Sequence, residues 1–208
     1  MPETGEGLRE RHKARRRARI VDAVRELLRE QTESAVSVER IAERAEVAPA
    51  TVYNLIGGRD RIWEALAAGF MDDLEHRLAG REAGDPHGVV RMTVHLFVDD
   101  PVVSRHMVRA WGQSGLALDH SPLTRLREAM GEAQARGLLR ADVDTDALAA
   151  VVGAACVGAL HQWVAARIDD ERFLSHALFA LDVALAAAAA EPCRQELLAP
   201  LRSRRAEG

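Results

Sequence analysis

Cysteine is almost absent from this 208-residue chain: two residues, Cys156 and Cys193, stand in unlike surroundings. That excludes a disulfide scaffold and any cysteine-rich zinc module. No run of about 18 uninterrupted apolar residues occurs, which argues against a transmembrane span. The opening Met1-Pro2-Glu3-Thr4-Gly5-Glu6 holds no apolar signal region, so a cytoplasmic location is expected. Strand-like alternation of β-branched and aromatic residues is missing too. Also lacking are a G-x-S-x-G elbow, a phosphate-cradling glycine loop, and a paired nucleophile and base, so catalysis is not expected. Lys13 is the only lysine, which, beside the abundant alanine, reads as a coding bias as much as a functional signal.

What is present suits a folded domain. Hydrophobic residues make up 48% and charged residues 29%, enough to bury a core in one ordinary domain or two small ones, and disorder throughout is excluded. The net charge of −4 is unevenly spread: Met1–Ile62 holds 13 Lys and Arg against 11 Asp and Glu, whereas Trp63–Gly208 holds 15 against 21. Between Leu8 and Ile20, Arg9, Arg11, Lys13, Arg15, Arg16, Arg17 and Arg19 face Glu10 alone. One basic end on a mildly acidic chain suits a local anionic partner. Free of such a partner, this stretch is expected to be a solvated, partly disordered arm, able on DNA to reach phosphates or the minor groove.

Almost everything else reads as helix, since alanine, leucine, arginine and glutamate dominate. A first helix over Arg11–Glu30 carries Ile20, Val21, Val24, Leu27 and Leu28 on one face. Ser37 can cap a short second helix, with Glu39 in its first turn and Val38, Ile41, Ala42 and Ala45 inward. Glu46-Val47 forms a tight turn. Pro49 then sits at the first position of a third helix carrying Thr51, Val52, Tyr53 and Leu55, which stops at Gly57-Gly58. A fourth helix runs to about Ala79, with Ile62, Leu66, Phe70, Leu74 and Leu78 inward. After a polar break over Gly80–Gly88, helices are expected near Val89–Val98, Pro101–Trp111, Leu123–Ala135, Thr145–Ile168 and Glu171–Ala190, the alanine run Ala186–Ala190 continuing the last.

Residues 37–56 thus make a helix-turn-helix, glued by Val38, Ile41, Ala42, Val47 and Val52, whose second helix can enter a major groove about 12 Å wide. The string from Val38 to Ile62 resembles the DNA-binding signature of the TetR family of transcriptional regulators. Its specific matches are Ile41-Ala42, Val47, Thr51-Val52-Tyr53, Arg59-Asp60 and Ile62. The resemblance covers roughly residues 15–66, and it departs from the usual pattern at Glu46, Ala48, Leu55, Ile56 and Arg59. It implies a DNA-facing set of Ser37, Ala48, Pro49, Ala50, Thr51, Tyr53, Asn54 and Arg59. In that set Thr51, Tyr53 and Arg59 meet phosphates, while Pro49, Ala50 and Asn54 face the groove. The amide of Asn54 suits adenine, though a solvated asparagine at a helix end would look the same; Pro49 and Ala50 offer only apolar contact. Tyr53, the only tyrosine, could alternatively be a packing residue with its hydroxyl at the rim.

The resemblance also implies an all-α architecture: an N-terminal three-helix DNA-binding domain over residues 1–62, then a larger helical ligand-binding and dimerisation domain over 63–208. The last two helices resemble the pair through which the family dimerises. Ala150, Ala154 and Gly158 allow close approach there, and Leu148, Val151, Val152, Ala155 and Ala159 supply apolar area; the plainer alternative is a hairpin within one chain. A ligand cavity is expected between the DNA module and this pair. Its candidate lining is Phe70, Met71, Met92, His95, Leu96, His106, Met107, Trp111, Leu126, Met130, His161 and Trp163, each of which alone could equally be core. His95, His106, His161 and Cys156 lack metal-ligand spacing, so no metal or cofactor is expected. The expected partners are inverted-repeat double-stranded DNA, a small apolar or amphipathic effector and a second copy of the chain, with no membrane. Two other functions compete: a ligand-independent architectural DNA binder or adaptor, and a small helical magnesium-dependent enzyme built on Asp72-Asp73-Leu74-Glu75-His76.

Overall fold

Helix formers and well-placed caps decide the local structure. The computed structural model describes residues 5–30, 36–79, 85–114, 122–195 and 198. In order these form α1 (Gly5–Glu30), α2 (Val38–Arg44), α3 (Pro49–Leu55), α4 (Arg59–Leu78), α5 (Pro86–Val98), α6 (Pro101–Ser114), α7 (Pro122–Ala135), α8 (Thr145–Val164) and α9 (Asp170–Ala188), with a 3₁₀ turn over Glu191–Cys193. Among the described residues the sole β-type contact is one antiparallel bridge between Leu139 and Ala189.

The contacts divide the chain into two units. The first comprises Met1–Asp72 and Asp100–Leu116, so it contains α1 to α3, most of α4, and α6. Ile20, Val24, Leu27 and Leu28 of α1 are buried together with Ile41, Val52, Leu66 and Met107. α2, α3 and α6 all pack on α1. The Arg29 guanidinium donates to Asp100 at 2.6 Å, tying the end of α1 to the start of α6. α6 therefore joins α1 to α3, although its sequence position lies in the larger expected domain.

α1 departs from expectation at its start. It is helical from Gly5, six residues ahead of the expected Arg11, so the whole basic stretch is helix. No helix breaker lies between Gly7 and Ile20, and alanine, arginine and glutamate all favour the helix.

The second unit comprises Asp73–Asp99 and Ala117–Gly208. α9 packs on α5 and α8, and α7 packs on α5 and α8. Asp144 and Asp169 cap α8 and α9, accepting from the Ala147 and Arg172 backbone N–H groups at 2.9 and 2.8 Å. Trp163 is fully buried; its indole N–H donates to Asp170 at 2.6 Å, and its ring stacks on Phe173 with centroids 5.6 Å apart. α8 stops at Val164, short of the expected Ile168, because Ala166 turns left-handed (φ 55°) and the Arg167 N–H closes on the Gln162 carbonyl at 2.9 Å. The alanine run does not continue α9 to its end. Instead the Arg140 N–H donates to the Ala188 carbonyl at 2.9 Å and the Ala190 N–H to the Leu138 carbonyl at 3.0 Å, drawing the chain into the bridge.

By length and composition α8 could cross a membrane, a reading that a search for uninterrupted apolar runs passes over. Its apolar residues serve three sides here. Ala149, Val152 and Trp163 are buried, Gly153 and Leu160 border a cavity, and Val151 is exposed.

Candidate nucleic-acid interface and ligand cavity

The first unit holds two short helices rigidly against α1. The Ser37 side chain caps α2 by accepting from the Arg40 N–H at 3.4 Å. Arg44, in the last turn of α2, donates to Glu30 at 2.7 Å and to Glu26 at 3.1 Å, holding the Glu30 carboxyl below its ordinary pKa. The turn closes with the Val47 N–H donating to the Ala42 carbonyl at 2.9 Å, which places Glu46 in the left-handed region at φ 52°. A residue with a Cβ pays about 1–2 kcal/mol for that conformation.

Two arginines of α1 complete the frame. Arg19 donates to the Ala45 carbonyl at the end of α2, and Arg17 donates to the Leu55 carbonyl at the end of α3 at 2.9 Å. Both bring a cation to a helix C-terminus, where the dipole favours it. Gly57, after α3, sits at φ 116°, and a Cβ there would lie 2.9 Å from the Arg61 side chain, so glycine is needed.

The frame leaves one side of α3 open. Val52 is completely buried while Pro49, Ala50, Tyr53 and Asn54 are exposed and Thr51 is half-buried. Tyr53 is 55% exposed, which argues against its being a packing residue. Ala48 is the cap residue of α3 and makes no side-chain bond to it. Ser37 and Arg59 are exposed at the starts of α2 and α4. The eight residues of the expected DNA-facing set thus lie at the starts of α2 and α4 and along α3 with its cap.

A separate concavity lies within the second unit. A cavity of about 240 Å³ is bounded by α5, α7, α8 and Phe173 of α9; Val94, Phe97, Leu126, Gly153, Ala154 and Leu160 are among its walls. Among the described residues no carboxylate, guanidinium or imidazole lines it. Its polar groups are Thr93, whose hydroxyl already donates to the Val89 carbonyl at 2.8 Å, and Cys156, whose thiol burial pushes up to about 11.

Of the residues expected to line a cavity, Leu126 alone lines this one. Phe70, Met71, His106 and Met107 belong to the first unit. Met92 and His95 are half-buried elsewhere on α5, and Leu96, Met130 and Trp163 are buried as core. His161 is exposed, its Nδ1 2.9 Å from the Val157 carbonyl, and the side chain of Trp111 lies outside the described residues. The physical reason is general. Large Met, Trp and His side chains fill space, whereas a void persists where Val, Ala, Gly and Thr fail to fill it.

The expected dimer residues split likewise. Val151 and Ala155 are exposed and Leu148 is half-buried, but Val152 and Ala159 are buried within the chain. Within the carboxylate cluster, Glu75 is engaged by Arg125, which also donates to Glu128 at 3.0 Å. Among the described residues no three His, Cys, Asp or Glu side chains gather as a metal site.

No protein-family model matches the chain, and no curated protein does. Solved structures do. A TetR transcriptional regulator from Rhodococcus sp. RHA1 superposes with a TM-score of 0.59 at 19% identity, over 85% of this chain and 97% of that one. SmeT, the repressor of the Stenotrophomonas maltophilia multidrug efflux pump SmeDEF, gives 0.56 at 22% identity, over 84% and 91%. SmeT in complex with triclosan gives 0.57 at 22% identity, over 85% and 92%. At these identities the likeness is one of fold: an all-α chain with an N-terminal helix-turn-helix and a larger helical C-terminal part.

Proposed function

We propose that the chain is a member of the TetR family: a dimeric, sequence-specific, cytoplasmic DNA-binding regulator, acting as a repressor that a small ligand releases from a palindromic operator. The observation that carries this is the face of α3. A seven-residue helix is tied at its C-terminal end by Arg17, buries Val52, and turns Pro49, Ala50, Tyr53 and Asn54 outward. Exposing a tyrosine and a proline on so short a helix serves no packing purpose, whereas a major groove can use both.

In this reading residues 1–62 contact DNA, with Ser37, Thr51, Tyr53 and Arg59 positioning on phosphates and Asn54 reading a base edge. Residues 63–208 sense and dimerise. Two recognition helices must reach half-sites about 34–36 Å apart, which requires a symmetric pair. The outer faces of α8 and α9 support such a pair: Val151 is 66% exposed, Phe179 48% and Val183 44%. Covering them in a dimer also accounts for the apolar character of α8 without a membrane. Val152 and Ala159 would then back the interface from within each chain.

The effector would occupy the cavity of the second unit. Its described walls carry no charge and favour a neutral apolar molecule, since burying an unpaired charge there is costly. That SmeT has been captured with triclosan supports a small-molecule role for a cavity in this fold. The ligand can shift the DNA-binding equilibrium only by its differential affinity for the two states. α4 runs from the first unit into the second, and so is one of three covalent routes for that shift.

Selection of random duplex DNA by the purified protein tests the reading. An enriched inverted repeat bound by dimers is expected. On it, Tyr53→Ala should weaken binding to all sequences alike by roughly tenfold, and Asn54→Ala should relax preference at one base pair, a discrimination of about 1–3 kcal/mol. Binding without any enriched motif would instead indicate an architectural DNA binder.

A further inference from the structure

The N-terminal part of α1 has no packing role that explains it. Every residue from Arg9 to Arg19 is exposed, and the first buried among the described side chains of this helix are Ile20 and Val21. Helices that persist in globular proteins usually bury one stripe; this stretch buries none.

Its charge distribution is costly as a helix. Arg9–Lys13, Arg11–Arg15, Lys13–Arg17 and Arg15–Arg19 are like-charge pairs at i, i+4, each destabilising by a few tenths of a kcal/mol. The cations also crowd the end of the helix where the dipole favours anions. Glu10 is the only acidic residue between Leu8 and Ile20. An anionic surface reverses all of these terms at once.

The base of the stretch is fixed to the helix-turn-helix. Arg17 and Arg19 are committed to the carbonyls that end α3 and α2, so the five cations beyond them extend from the same rigid body that presents the open face of α3. From Arg9 to Arg19 the helix is about 16 Å long, close to half a turn of duplex.

We propose that Arg9, Arg11, Lys13, Arg15 and Arg16 form a helical arm that binds the DNA backbone outside the base pairs read by α3. The arm adds affinity and salt dependence without adding sequence preference. The inference rests on the DNA-binding reading above. It commits to duplex DNA because the arm is continuous with the helix-turn-helix and matches a polyanion in charge.

The test uses the full chain and a variant with all five residues changed to glutamine; the exposure of all five makes loss of the fold unexpected. Binding to a selected operator is followed between 50 and 200 mM salt, on duplexes ending at the operator and on duplexes extended by about half a turn at each end. Two or three phosphate contacts per arm would make the variant's log–log salt slope shallower by about 2 per protomer. The wild type should gain affinity from the flanks, on the order of tenfold, and the variant should not. The ranking of operator sequences should be the same for both.

An unchanged slope with equal use of the flanks overturns the arm while leaving sequence-specific binding intact. Failure of the wild type to bind any duplex overturns the DNA-binding reading and the arm with it. Vesicles containing phosphatidylglycerol are the control surface. Arm-dependent vesicle binding alongside an unchanged DNA salt slope would assign the stretch to a membrane and overturn the proposal.

Discussion

The open face of α3 and the cavity behind α8 are two ways of building a place for a partner. On α3 the chain adds side chains that packing does not need: Tyr53 and Asn54 project from a helix whose single buried residue is Val52. Around the cavity it withholds them. Gly153, Ala154 and Ala150 stand on α8 where larger residues would close the space, and Gly153 already lies so near Leu123 that an added Cβ would be 3.2 Å from it. The first surface needs a stiff frame, because its exposed groups must arrive in fixed register. The second needs walls that do not collapse, which Trp163 stacked on Phe173 and the two aspartate caps supply.

The largest effect is expected where the frame of α3 is undercut. Ile41 is completely buried on α2. Truncating such a side chain to alanine removes its transfer energy and leaves a hole, at about 2–5 kcal/mol. Ile41→Ala should therefore lower the denaturation midpoint and weaken operator binding more than its loss of fold alone explains. Binding that stays at wild-type strength in the folded variant would show that α2 is not the support proposed for α3.

A smaller effect of opposite sign is expected at the turn. Glu46 holds a left-handed conformation that glycine adopts without the Cβ penalty. Its ion pair with Arg19, 3.6 Å long and 87% exposed on the glutamate side, returns little. Glu46→Gly should stabilise the protein by about 1 kcal/mol, read as a raised melting temperature. A lowered one would mean that the Arg19 contact holds the turn.

How far each surface was legible in the sequence follows from the same contrast. The helix-turn-helix is local: Ser37, Glu46, Pro49 and Gly57 each mark a cap or turn within a few residues, and Val38, Ile41 and Val52 recur at helical spacing. A cavity is not local. It is an absence shared among α5, α7, α8 and α9, so the conspicuous residues, Met130 and Trp163 among them, proved to be core, while Gly153 and Ala154 bound the space. Helix ends erred where a tertiary bond intervened, as when Ala188 and Ala190 engaged residues 138–140. The start of the basic stretch erred differently: its charges were plain, but nothing in a charge count shows that the helix runs back from Arg11 to Gly5.

The smallest change, in rate rather than stability, reports on whether the cavity is dry. Cys156 lines it, and burial raises the thiol from about 9 to about 11. Since the thiolate is the reactive species, alkylation of Cys156 at pH 8 in a Cys193→Ser background should run about a hundredfold slower than for an unperturbed thiol. It should climb roughly tenfold per pH unit until about pH 11. The same shift has a stability sign. A group neutral in the fold and raised above its unfolded value contributes fully below about pH 9, and that contribution is lost as pH rises towards 11. A neutral apolar ligand seated against α8 should slow alkylation further, with no change at Cys193 in the converse Cys156→Ser variant. Labelling at the rate of a free thiol would mean that water reaches the wall of the cavity, and the argument for an uncharged, apolar effector would then lose its footing.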